Sequence, residues 1–224
     1  MAVKAERLFL FMEATITGIK QQKRNPQRVN IYLDGVYAFP VAKIVVAWLK
    51  VGQQLSPDKI KELQGLDKVE KGLQRALNFI SYRPRSQAEV EKNLRKYEVA
   101  EELIPEIIER LKRGNLLNDA DFARRWVEDR AAFRPKGAYA LRAELRQKGL
   151  AEDAIEDALA GINEPVLARE AAQRKINRWS QLEWQEFRSK LSSFLSRRGF
   201  GYETVAEVCK EVWQELKQES RQYE

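Results

Sequence analysis

The sequence predicts a mainly α-helical fold: three tandem three-helix repeats forming an elongated curved array, preceded by a small N-terminal antiparallel β-hairpin or sheet with short helices. Three observations lead there. An apolar stripe at Ile104, Ile107, Ile108 and Leu111 returns about fifty residues later as Ile155, Ala158, Leu159 and Ile162, and again as Val205, Val208, Cys209 and Val212. Upstream of it, Val90 and Leu94 return as Leu141 and Leu145, then as Leu191 and Leu195. Six apolar positions recurring through three copies mark an internal repeat, and their i, i+3, i+4, i+7 spacing is helical. The first forty residues instead carry strand and hairpin signals.

The elements follow in order. Ala14–Gln21 carries Thr15, Ile16, Thr17 and Ile19, residues suited to a strand. Asn25-Pro26 marks a turn. Arg28–Leu33 alternates, with Val29, Ile31 and Leu33 on one face, and Asp34-Gly35 supplies a two-residue hairpin turn before Val36–Pro40 returns. These segments predict three strands. An apolar helix is expected around Val41–Leu49, with Trp48 docked on the sheet. Ser56 as N-cap and Pro57 at the first helical position predict a helix to about Gln64.

From about residue 67 each repeat should hold a first helix (near Leu73–Ile80, Phe122–Arg130 and Ala172–Trp179) and the two apolar stripes. Pro84 ends the helical region before it, and Ser86 with Glu89 forms a capping box for the second helix of copy one. Arg134-Pro135-Lys136-Gly137 stands at the matching place in copy two, with Gly137 as cap; copy three lacks this Pro-basic junction. Gly149 and Gly199 suit left-handed turns between second and third helices, where copy one has Glu98, so its turn is expected to be poorer or different. The expected division is 1–66, 67–118, 119–163 and 164–224.

Composition then removes function classes. The 224 residues include no histidine, which excludes Ser-His-Asp and Cys-His catalysis and His-ligated zinc. A single cysteine, Cys209, excludes an internal disulfide and iron–sulfur ligation. The chain holds no GxxxxGK[ST] phosphate loop, and Gly199-Phe200-Gly201 follows a helix rather than a strand, so it is no dinucleotide motif. Asp119 and Asp121 read as helix-start acids, with Asn118 or Asp119 as the cap, rather than as magnesium ligands. Cys209 sits on the repeated core stripe and reads as a buried thiol, not a nucleophile. Trp126, Trp179 and Trp213 read as packing residues; Trp184 is expected to be exposed. The alternative for any tryptophan is base stacking. No catalytic residue, metal ligand or cofactor is predicted. No stretch approaches the roughly 20 apolar residues of a membrane helix, and Leu8–Met12 is too short for a signal-peptide core; a cytoplasmic protein is expected.

Basic residues are the remaining functional material. With 40 Lys and Arg against 33 Asp and Glu the net charge is +7, of which +5 lies in residues 1–66. Arg83 and Arg85 match Arg134 and Lys136 by repeat position; Arg142, Arg146 and Lys148 follow along the second helix of copy two, and Arg197-Arg198 end that of copy three. Equivalent positions in stacked repeats share a face, so these nine residues are the candidate partner-binding strip. Interleaved acids make a solvated face the alternative.

Asn115-Leu116-Leu117-Asn118-Asp119, Phe122-Ala123, Arg134-Pro135-Lys136-Gly137 and Leu141–Leu150 (LRAELRQKGL) closely resemble the RecX family of bacterial recombination regulators. The repeats continue that resemblance over about residues 67–215, and the hairpin, with Tyr32-Leu33-Asp34-Gly35, resembles the extension of longer members. The resemblance implies a non-enzymatic protein; a monomer is the default expectation for its oligomeric state. It would bind the RecA recombinase filament on single-stranded DNA along its helical groove. There it would restrain ATP hydrolysis, strand exchange and co-protease activity, a role in DNA repair, recombination and the SOS response. Single- or double-stranded DNA is a further expected partner. The alternative is a nucleic-acid-binding three-helix-repeat protein acting without RecA.

Overall fold

The computed structural model describes residues 12–222; of the early apolar run only Met12 falls within them. Four strands form one antiparallel sheet: β1 (Ala14–Gln21), β2 (Arg28–Leu33), β3 (Val36–Ala42) and β4 (Gln54–Leu55), in the order β3-β2-β1-β4. The fourth strand adds to the expected three. It pairs Leu55 with Ala14 and Gln54 with Thr15, and two residues are too few to show an alternation. Asp34 and Gly35 take positive φ (46° and 83°), as a hairpin turn of primed type requires. The turn is pinned by the Thr15 amide donating to the Asp34 carboxylate at 3.0 Å and the Gly35 amide donating to the Thr17 hydroxyl at 2.8 Å. Pro40, opposite Asn30, is tolerated because β3 is an edge strand.

Val41–Leu49 is not a helix. Val41 and Ala42 continue β3, and only a 3₁₀ turn, Lys43–Val46, follows. The alternation that buries Phe39 and Val41 wins over the apolar run. Trp48 is correspondingly half exposed, with the Lys59 ammonium 4.8 Å from its ring centroid, rather than docked on the sheet.

Nine α-helices follow among the described residues. The first, α1 (Pro57–Ser81), is capped by Ser56 as expected but does not stop at Gln64; it runs through 25 residues. Its first half packs Ile60 and Leu63 into the sheet core with Ile16, Ile31, Leu33 and Leu55. At the next turn Asp67 is buried: its carboxylate accepts from the Ala42 amide at 2.8 Å and from Arg28 at 2.9 Å, and pairs with Lys71 at 2.8 Å. Burial pushes that carboxyl up, but the bonds from Arg28, Lys71 and Ala42 hold it below the usual aspartate range. The second half of α1 meets α3 (Ile104–Arg113) so closely that a methyl on Gly72 would overlap Ile107.

The remaining helices are α2 (Gln87–Lys96), α4 (Asp119–Phe133), α5 (Ala138–Gln147), α6 (Glu152–Leu159), α7 (Glu164–Trp179), α8 (Trp184–Ser196) and α9 (Tyr202–Gln222). With α1 and α3 they make three helix triplets. Of the eighteen repeated apolar positions all are buried except Ala158 and Ile162, which are partly so. Glu98 adopts the same left-handed turn (φ 58°) as Gly149 (77°) and Gly199 (81°), so copy one keeps the turn despite its side chain. Contacts group the described residues into two units, one of residues 12–83 with 90–116, the other of Pro84–Glu89 with residues 117–222. No helix among the described residues is long and apolar enough to cross a membrane.

Candidate functional site

The second unit carries most of the predicted basic residues, and the structure sorts them into two kinds. Lys136, Arg142, Arg146 and Lys148 are each neutralised from within. Glu144, on the inner side of α5, accepts from Lys136, from Arg130 Nε at 2.8 Å and from Trp126 Nε1 at 2.8 Å. Burial pushes the Glu144 carboxyl up, but these three bonds outweigh it and hold the group below the usual glutamate range. Arg142 donates to Glu156 at 2.6 Å, and Arg146 grips Glu152 through Nη2 (2.8 Å) and Nε (2.9 Å). Lys148 pairs with Glu89 at 2.9 Å, its ammonium 5.0 Å from the Trp126 ring centroid. The segment Ser86–Glu89 is fixed there: Ser86 caps the Glu89 amide at 3.2 Å and donates its hydroxyl to the Lys148 carbonyl at 2.6 Å.

Arg134 and Arg198 differ. Both belong to one junction, where Gly137 at the start of α5 lies against Gly199 beyond the end of α8. The Gly137 amide donates to the Arg198 carbonyl at 3.0 Å, and a methyl on Gly137 would overlap the Gly199 carbonyl. Arg198 donates to the Pro135 carbonyl at 2.9 Å and lies over the Phe194 ring, 4.6 Å from its centroid. Burial lowers its pKa from the arginine norm, and the neighbouring Arg134 and Arg174 lower it further. Arg174, on α7, donates to the carbonyls of Phe133 at 2.5 Å and Ala132 at 2.9 Å. Sequence reasoning missed it: α7 is among the loosely aligned first helices, and Arg174 stands in no motif. Arg197 is exposed at the end of α8, and Arg83 and Arg85 flank Pro84 before α2, Arg83 exposed and Arg85 partly buried.

The discarded chemistry also has definite places. Asn118 caps α4 through the Asp121 amide at 3.1 Å. Asp119 accepts from the Gln87 amide at 2.8 Å, and Asp121 pairs with Arg124. Among the described residues no group of three His, Cys, Asp or Glu is placed to hold a metal ion. Cys209 is fully buried; burial raises its thiol pKa, only partly offset by the Ser192 hydroxyl 3.5 Å away. Trp179 meets Phe194 edge-on at 5.9 Å. Trp184, expected to be exposed, is partly buried against Trp213 with ring centroids 5.5 Å apart; the partner lies 29 residues away, beyond any periodic signal.

Comparison with known proteins matches four family models in chain order. They are the regulatory protein RecX N-terminal domain (residues 14–56) and the first, second and third RecX three-helix domains (73–111, 118–159 and 164–209). Regulatory protein RecX of Bacillus subtilis (strain 168) is 37% identical over 202 residues, covering 88% of this chain and 76% of that protein. Regulatory protein RecX of Clostridium botulinum (strain Alaska E43 / Type E3) is 34% identical over 206 residues, covering 89% and 96%. A crystal structure of regulatory protein RecX superposes with a TM-score of 0.75 at 32% identity, over 88% of this chain and 99% of that one. RecX from Lactobacillus salivarius gives 0.60 at 29% identity, over 66% and 97%.

Proposed function

The chain belongs to the RecX family of regulatory proteins, and we propose that it is a non-enzymatic regulator that binds the RecA recombinase filament on single-stranded DNA in the cytoplasm. Its effect is mainly inhibitory, on ATP hydrolysis, strand exchange and co-protease activity, within DNA repair, recombination and the SOS response. The observation that carries this reading is the ordered match of an N-terminal domain and three three-helix domains. We divide the chain into an N-terminal extension (1–66) and repeats at 67–118, 119–163 and 164–224, acting as a monomer.

The contact surface is drawn from the cations Arg83, Arg85, Arg134, Lys136, Arg142, Arg146, Lys148, Arg197 and Arg198. Their pairing grades them. Exposed ion pairs such as Arg146–Glu152 are weak, screened by solvent, so a partner's anion can take the arginine over at small cost. Lys136 and Lys148 are held in partly buried pairs, with side chains 22% and 23% exposed, and serve chiefly to shape the surface. A ligand shifts the filament between states only by its difference in affinity for them; a tandem protein touching several adjacent protomers gains that difference at each. The test is inhibition of RecA's DNA-dependent ATP hydrolysis by the full chain. Reversing Arg142 and Arg146 together to Glu weakens inhibition, more so at low salt where screening is weak. Undiminished inhibition by that variant at low salt removes α5 from the contact surface.

A further inference from the structure

We infer that Arg134, Arg174 and Arg198 form a docking site for the sugar-phosphate backbone of single-stranded DNA, with the neighbouring Phe133 as a stacking face for a base. The choice of DNA rests on the filament reading; the site itself rests on geometry.

Three guanidinium groups gather around one short segment, residues 132–135. Arg174 grips the carbonyls of Ala132 and Phe133, Arg198 grips that of Pro135, and Arg134 is part of the segment. Carbonyl anchoring fixes the groups in place without neutralising them, and it leaves most of the five N–H donors of Arg174 and Arg198 uncommitted. Among the described residues none of the three has a carboxylate within ion-pair distance, whereas Arg130, Lys136, Arg142, Arg146 and Lys148 nearby all do. Glu164 reaches the same junction, but its carboxylate accepts from the Ala138 amide at 2.5 Å and pairs with none of the three arginines. Gathering like charges costs stability, and the mutual repulsion is visible in the lowered basicity of Arg198, whose first cause is burial and whose further causes are Arg134 and Arg174. A tetrahedral, singly charged phosphodiester relieves that repulsion and matches the fork geometry of guanidinium.

Rigidity comes from the same junction. The Gly137 and Gly199 backbones touch, and the bond from the Gly137 amide holds the Arg198 backbone against α5. What favours a nucleic acid over an acidic protein surface is the aromatic face. Phe133, next to Arg134, is 78% exposed, an unusual position for a phenyl ring, and it adjoins the arginine cluster. Stacking on such a ring is tolerant of sequence and needs an unpaired base.

The test is fluorescence anisotropy of a labelled oligothymidylate titrated with the full chain, without RecA, over a range of salt. Wild type is expected to bind with a negative slope of log K against log[salt]. Arg134→Gln should flatten that slope by roughly 0.7 unit, the loss of one single-strand phosphate contact. Phe133→Ala should weaken binding about five-fold or more at unchanged slope. Both side chains are exposed, so melting temperatures should match wild type. Lys190→Gln, which removes a cation paired with Glu186 on α8, should stay within about two-fold of wild type. No binding by wild type at low salt, or an unchanged slope in Arg134→Gln, overturns the inference. RecA's ATP hydrolysis, measured on the same samples, separates the two readings. If the oligonucleotide signatures appear while hydrolysis is untouched, the filament reading fails and this site stands. If Arg134→Gln and Phe133→Ala bind oligothymidylate normally but lose inhibition, the cluster faces protein carboxylates and this inference fails.

Discussion

Gly137→Ala should unfold the second unit early, and the reason is contact rather than conformation. Gly137 has φ −76° and ψ 163°, which alanine adopts without strain. In open space the substitution would therefore stabilise by about 0.5 kcal/mol through the unfolded chain. Here the added methyl would overlap the Gly199 carbonyl and lie 2.6 Å from Phe200 Cα, atoms of backbone that no rotamer change can move. Carbon atoms pack at about 3.5–4 Å, so α5 and the turn after α8 must part by about 1 Å. That lengthens the 3.0 Å bond from the Gly137 amide to the Arg198 carbonyl, a loss of about 1 kcal/mol, and the overpacking adds about 1–3 kcal/mol. A net cost of about 1.5–3.5 kcal/mol lowers the melting temperature by roughly 6–15 °C for a unit of this size. Circular dichroism at 222 nm against temperature measures it (the helical wavelength). Gly161→Ala is the control: its Cβ position is open and its φ lies outside the left-handed region, so its melting should be unchanged or slightly raised. If Gly137→Ala melts with Gly161→Ala, the close approach at this junction is wrong, and with it the rigidity of the arginine cluster.

Three further outcomes follow from the packing and the charges. Leu145→Asp buries a carboxylate at a fully buried position of the second repeat and should cost about 4 kcal/mol; helical circular dichroism and melting that match wild type would contradict the core placement. The thiol of Cys209 should react with a disulfide reagent slowly in the folded protein and rapidly in denaturant, and stoichiometric labelling of the native chain would contradict its burial. Asp67 and Glu144 have folded-state pKa values below their unfolded ones, so their stabilisation is present above the unfolded carboxylate range and lost as pH falls through the folded values; Asp67→Asn and Glu144→Gln should flatten the acid limb of melting temperature against pH, and parallel acid limbs in variants and wild type would refute this.

The repeats were legible because each rests on local periodicity. Val90, Leu141 and Leu191 mark one buried position three times, and the turns after the second helices depend on the next few residues alone. Reading failed where a distant partner decides. Gln64 to Asp67 looks like a break, with a glycine and an acid in mid-helix. It is continuous helix because the Asp67 carboxylate reaches back to Ala42 and Arg28, 25 and 39 residues earlier. Val41–Leu49 looks helical by apolar content, yet pairing with β2 extends the strand to Ala42. The basic strip was legible as a set of residues but not as charges. Sequence spacing shows that Arg142 and Arg146 share a face; it cannot show that Glu152 and Glu156 on α6 meet them there. Conversely Arg174 carries no signal in its own neighbourhood, and only the fold brings it to Phe133.

Co-sedimentation most directly tests whether this RecX-family chain acts on the RecA filament. The full chain is spun with RecA filaments assembled on single-stranded DNA, with the same DNA alone, and with RecA without DNA. The protein should pellet with the filament at concentrations where DNA alone or free RecA retains little of it. Equal recovery with DNA alone, or none with the filament, would contradict the claim that the filament is what this protein reads.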